Sequence, residues 1–101
     1  MKLYIDTSDS EKIIVGLDNK RIASSAREEK SQKLLQFIDE LLKIEDRDIK
    51  DITEIEVNTG PGSFTGLRIG VSVANAIGWV LGIPVNGCDL RRGEFNDINY
   101  D

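Results

Sequence analysis

The 101 residues make a single domain, large enough to bury a core but too short for the two lobes that usually close over a nucleotide. Lys and Arg number 13 against 18 Asp and Glu, a formal net charge of −5, so a nucleic-acid backbone meets repulsion and no direct nucleic-acid binding is expected. There is no histidine, which excludes a Ser-His-Asp triad, HExxH zinc chemistry and any histidine proton relay, and the lone Cys88 has no partner for a disulfide, which fits a reducing, cytoplasmic compartment.

Residues 2–5 read as a short strand that ends in the turn formers Asp6-Thr7-Ser8-Asp9-Ser10. Lys12 to Leu17, carrying Ile13, Ile14 and Val15, predicts a second strand; Asp18-Asn19-Lys20 supplies a turn and Arg21 to Arg27 a third, more polar strand. From Ser31 the hydrophobic period changes to that of a helix, with Leu34, Leu35, Ile38, Leu41 and Leu42 on one face. The charged run Glu45-Asp46-Arg47-Asp48 reads as a solvated loop, and Ile49 and Ile52 anchor a short helical turn.

Glu54 to Asn58 alternates as a half-buried strand does, and a glycine-rich turn then leads into a helix from Phe64 to Leu81 with Gly82 as its left-handed cap. Ile83-Pro84-Val85-Asn86 predicts a last strand, and residues 90–101 read as a polar, loose tail. The order is βββαβαβ, an α/β domain with a mixed sheet spanning residues 1–89. The most apolar stretch, Leu67 to Val85, is interrupted by Arg68, Ser72, Asn75 and Trp79, so no membrane segment is expected.

A glycine-rich turn between a strand and a helix exposes amides at the positive end of a helix dipole and can cradle an anion. Here Gly66 is followed by Leu67 and Arg68, so the lysine of a phosphate-binding P-loop is missing. The spacing of Gly60, Gly62 and Gly66 matches a dinucleotide fingerprint weakly, and Ser63 lacks the flanking glycines of a nucleophile elbow; Ser63 reads as the cap of the following helix. Glycines 62, 66, 70 and 78 with Ala74 leave one seam of that helix almost bare, inviting close approach by either the first helix or a partner. Ile69, Val73, Ile77 and Val80 form an apolar row suited to the chain's own sheet. Trp79 reads as a cover over the core or an interface anchor.

The run Gly60-Pro61-Gly62-Ser63-Phe64-Thr65-Gly66-Leu67-Arg68-Ile69-Gly70 resembles the GPGSFTGLRIG hallmark of the TsaB (YeaZ) family. Ile5-Asp6-Thr7-Ser8 is similar to its opening IDTS, the segments Ser31 to Leu35 and Ile38-Asp39 to its first helix, and Leu81 to Val85 to its LGIP strand. The resemblance implies an N-terminal-type lobe of the actin-like, sugar-kinase and heat-shock-protein ATPase fold (ribonuclease H-like), with a five-stranded mixed sheet and two main helices but without the family's second lobe. It implies a non-catalytic subunit, since in the family TsaB pairs with its paralogue TsaD, which carries the metal site and the threonylcarbamoylation of adenosine in tRNA, while TsaE supplies an ATPase cycle.

Carried to this chain, pairing uses the two helices, with Leu67, Gly70, Val71, Ala74 and Gly78 as the partner-binding positions; a homodimer would use the same helices. Asp6, Thr7, Ser8, Gly62 and Ser63 are the candidate nucleotide or anion contacts. No cofactor is expected on the chain alone, with ATP or ADP only at a joint interface, and no metal site. Lys30 stands where many relatives have histidine, which removes a metal role there. Two competing readings are a self-associating lobe without a role in tRNA modification and a weak ATPase in which Asp6, Thr7 and Ser8 form a phosphate loop; in the subunit reading Asp6 is instead a turn residue accepting backbone hydrogen bonds.

Overall fold

A computed structural model describes residues 1–26, 29–89 and 93. Alternation sets the sheet: Leu3 and Ile5 of β1 (Lys2–Asp6) and Ile13, Val15 and Leu17 of β2 (Lys12–Leu17) point to one face and are buried. A two-residue turn at Asp18-Asn19 leads to β3 (Lys20–Ser25), and β4 (Glu54–Val57) follows after helix α1 (Lys30–Ile44) and a 3-10 turn at Ile49–Asp51. The sheet order is β3-β2-β1-β4, antiparallel across the three-stranded meander and parallel between β1 and β4.

Helix α1 lies over β2 and helix α2 (Phe64–Leu81) over β1 and β4, and the two helices also touch each other. Leu34, Ile38, Leu41 and Leu42 face the sheet, whereas Leu35, expected on that face, is 53% exposed. Its neighbours already fill the space above β2, and Leu35 projects from the flank of the helix. The core holds Leu3, Ile5, Val15, Leu34, Ile55 and Val85, each contributing roughly 1.5–3 kcal/mol by leaving water.

The opposite face of the sheet is polar. Tyr4 sits across from Gly16, and the Arg21 guanidinium stacks 3.9 Å from the tyrosine ring centroid. A Cβ on Gly16 would lie 2.8 Å from Arg21 Cγ, so the stack needs a glycine there. Lys2 and Glu56 pair at 3.0 Å on the same face.

The glycine turn and helix α2 form as expected at both ends. Ser63 Oγ accepts a hydrogen bond from Gly66 N at 3.4 Å, and Gly82, with φ 67°, caps the C-terminus while Ile83 N donates to Gly78 O at 3.0 Å. By length and mean hydropathy (1.3) α2 would pass for a membrane span, but its Gly66-Leu67-Gly70-Val71-Ala74-Gly78 seam is packed inside the domain.

The expected fifth strand is reduced to one bridge, so the sheet has four strands. Pro84 O and Asn86 N both pair with Ile55, as a parallel strand would, but Val85 N turns back to Cys88 O at 3.0 Å through Asn86 (φ 50°) and Gly87 (φ 78°). Those left-handed residues end the strand at once. The Asn86 side chain then takes its place: its Oδ1 accepts from Val57 N at 2.8 Å and its Nδ2 donates to Val57 O at 2.9 Å. Asn86→Ala is expected to cost about 1–2 kcal/mol in a urea titration, two net hydrogen bonds, and to speed amide exchange at Val57. The expected tail, residues 90–101, lies outside the described residues apart from Gly93.

Candidate functional site

The end of β1, the glycine turn and the starts of both helices meet at one corner. Ser63 N donates to Ser8 O at 2.7 Å, which ties the turn to the loop after β1. Asp6 organises the corner: its Oδ1 accepts from Ser8 N (2.9 Å), Ser8 Oγ (2.6 Å) and Asn58 Nδ2 (3.2 Å), and its Oδ2 accepts from the Tyr4 hydroxyl at 3.3 Å. Partial burial pushes the carboxyl pKa up, but these donors outweigh it and hold Asp6 below the usual carboxylate value. Asn58 Oδ1 also accepts from Gly60 N at 2.9 Å, closing a side-chain turn ahead of Pro61.

Thr7 is fully buried, and its hydroxyl donates to Gly66 O at 2.5 Å. A Cβ at Gly66 would lie 2.2 Å from Thr7 O, and one at Gly70 2.3 Å from Thr7 Oγ1. The bare seam of α2 therefore receives the β1 loop. Lys30, at the first turn of α1, is 6% exposed and donates its ammonium to Asp9 O. Burial lowers its pKa, and the nearby Asp9 and Asp6 charges partly offset that.

The five expected nucleotide or anion contacts are thus brought together, but Asp6, Ser8 and Ser63 bond to one another and Thr7 bonds to Gly66. Thr7 is corrected outright: a threonine with no exposed surface touches no ligand. Asp6, Ser8 and Ser63 are half-buried, and Gly62 is exposed with its Cα against Ser8. The ionised Asp6 already occupies the donors a bound phosphate would need from Ser8 and Asn58. Lys30, Asn58 and Asn86 were missed as organising residues. Asn58 before Thr59-Gly60 carried a turn signal, whereas nothing local marks a lysine whose ammonium lies beside Gly66 of a helix distant in sequence.

The expected partner-binding positions also need correction. Leu67 (1% exposed), Ala74 (0%) and Val71 (6%), with Gly70 and Gly78, are inside the chain's own core. At Gly66 and Gly70 the seam is filled chiefly by the end of β1: small residues let the α2 backbone settle on Ile5 and Thr7, with the Lys30 ammonium of α1 beside Gly66. The row assigned to the sheet turns elsewhere, with Ile69, Val73 and Ile77 half-buried along the α1 contact and Val80 73% exposed. Trp79 is 56% exposed, so it does not cover the core.

Two depressions lie along the α1/α2 contact. One, of about 360 Å³, is bounded by Ser31, Phe64, Arg68, Ile69 and Val73; the other, of about 370 Å³, by Leu35, Asp39, Leu42, Ile49 and Ile77. Arg68 lies over the Phe64 ring, 5.5 Å from its centroid. This strip of half-buried aliphatics under a charged rim is one accessible apolar surface of the helix layer, beside the exposed Trp79 and Val80 of α2. Among the described residues no cluster of His, Cys, Asp and Glu has metal-ligand geometry.

Residues 22–89 match the family model described as TsaD, tRNA N6-adenosine threonylcarbamoyltransferase. The tRNA threonylcarbamoyladenosine biosynthesis protein TsaB of Bacillus subtilis is 39% identical over 56 residues, 55% of this chain and 24% of that protein. The protein of the same description from Buchnera aphidicola is 32% identical over 88 residues, 84% of this chain and 42% of its own length. The solved structure of YeaZ from Pseudomonas aeruginosa superposes with a TM-score of 0.69 at 25% identity, over 83% of this chain and 41% of that one. The chain thus spans less than half the length of these relatives. Its sheet and two helices are one lobe of the actin-like, ribonuclease H-like fold that YeaZ has. With residues 22–89 matching the family model and TsaB and YeaZ proteins similar over most of its length, the chain belongs to the threonylcarbamoyltransferase family of TsaD and, within it, to the TsaB (YeaZ) proteins.

Proposed function

We propose that this chain is a non-catalytic partner subunit that binds and organises a TsaD-like enzyme during threonylcarbamoylation of adenosine in tRNA, in the cytoplasm. The observation that carries the reading is the apolar strip between α1 and α2, where half-buried Ile69, Val73 and Ile77 are flanked by Leu35 at 53% exposure. Docking a helix there would remove apolar surface from water at about 25 cal/mol per Å². The named relatives place the family in this pathway, and a chain with neither histidine nor net positive charge is suited to contacting an enzyme rather than acting on tRNA itself. In this reading a TsaE-like ATPase joins on the surface that chain and partner form together, and ATP or ADP enters only there.

Light-scattering mass after size-exclusion chromatography tests it, with the TsaD homologue from the same source. A heteromeric peak is expected, and Leu35→Asp, an exposed position, is expected to weaken it at least about tenfold without loss of thermal stability. Separate elution of the two proteins, or a complex indifferent to Leu35→Asp, refutes the reading.

A further inference from the structure

Asn86 is the chain's only asparagine followed by glycine. In such a pair the glycine nitrogen can close on the asparagine Cγ to form a cyclic imide, because no Cβ stands beside it to hinder the approach. Here a Cβ at Gly87 would meet no atom within 4 Å, and both residues are exposed, so water reaches the pair.

In the folded chain the carboxamide is held elsewhere. Asn86 Oδ1 accepts from Val57 N at 2.8 Å and Nδ2 donates to Val57 O at 2.9 Å, which lays the group along the outer edge of β4. The backbone around it is fixed as well. Asn86 N donates to Ile55 O at 2.8 Å, and Val85 and Cys88 exchange hydrogen bonds across the turn, at 3.0 Å and 2.9 Å.

We propose that Asn86-Gly87 is a site of spontaneous deamidation, that the clamp on Val57 sets its rate, and that its product opens the outer edge of β4 irreversibly. Water is the only co-reactant. The Gly87 nitrogen forms a bond to Asn86 Cγ, the Cγ–Nδ2 bond breaks, and Nδ2 leaves as ammonia with the proton that Gly87 gives up. No atom is oxidised or reduced. Water then opens the imide at Cγ, giving aspartate, or at the Asn86 backbone carbonyl, giving an isoaspartyl linkage that runs the main chain through the side chain. The modification is independent of the partner-subunit reading.

Neither product rebuilds the clamp. An ionised carboxylate only accepts, so Val57 O loses its donor. The new charge also falls in an open depression of about 630 Å³ that Asn86 shares with Glu54 and Glu56, where the Lys2 ammonium is already paired with Glu56 at 3.0 Å. The isoaspartyl form lengthens the main chain within a turn built on left-handed Asn86 (φ 50°) and Gly87 (φ 78°), so the bonds of Pro84 O and Asn86 N to Ile55 lose their register.

Incubation of the chain at neutral pH, native and in guanidinium chloride, followed by peptide mass spectrometry with isoaspartate detection, tests this. Modification at Asn86 is expected to be at least about tenfold slower in the native chain, since it proceeds only from the locally open fraction. In denaturant, Gly87→Ala is expected to slow it at least about tenfold by hindering the attacking nitrogen. The modified native chain, separated by charge, is expected to exchange its Val57 amide faster than the unmodified chain. Equal rates in native buffer and denaturant overturn the proposal, because the clamp would then set nothing. So does a modified chain that still protects the Val57 amide, or an Asn86 that stays intact in denaturant.

Discussion

Replacing Gly66 with alanine is expected to destabilise the fold by about 3 kcal/mol, although alanine is the better helix former by about 1 kcal/mol. The added Cβ would lie 2.2 Å from Thr7 O, a backbone atom that cannot rotate away. Either α2 lifts from β1, losing contact with the core, or the β1 loop shifts and the buried Thr7–Gly66 hydrogen bond fails. Gly70→Ala meets the Thr7 side chain instead, with its Cβ 2.3 Å from Oγ1, so it should be milder and should be partly rescued by Thr7→Ala. Urea midpoints of the two single variants and the double variant measure that coupling; strict additivity of Gly70→Ala and Thr7→Ala would mean the seam does not close on Thr7.

Asp6→Ala is expected to cost about 2 kcal/mol at neutral pH, because Ser8 N, Ser8 Oγ and Asn58 Nδ2 lose a charged acceptor in a site that water only partly reaches. The pH dependence has a definite sign. The folded carboxyl titrates below its ordinary value of 3.8, so its stabilisation is fully present above that value and is lost as pH falls through the folded pKa. Wild type should therefore lose stability relative to Asp6→Asn in urea titrations below about pH 4, and the difference between the two should be flat from there to neutrality. A difference that stays constant down to the acid limit would remove Asp6 as the organiser of the corner.

Much of the fold was legible because it rests on local chemistry. Strand alternation in Leu3-Tyr4-Ile5 and Ile13-Ile14-Val15, the Asp18-Asn19 turn, the Ser63 cap and Gly82 act over a few residues, and each element appears where those signals place it. The last strand was misread because its end depends on Asn86 adopting a left-handed conformation and on its side chain finding Val57, 29 residues away in sequence.

The sequence by itself determined the order of the first four strands and the two helices, the absence of histidine chemistry, the unfavourable charge for nucleic acid and, through the Gly60 to Gly70 run, the family. Only the tertiary structure decided which side of α2 faces inward. Periodicity shows that a helix has a bare stripe and an aliphatic stripe, and both suit burial; the choice depends on what lies opposite. Here the β1 loop rises at Thr7 directly beneath Gly66 and Gly70, leaving no room for a side chain. The glycines therefore face inward, and Ile69, Val73 and Ile77 are left beside α1, at the surface available to a partner.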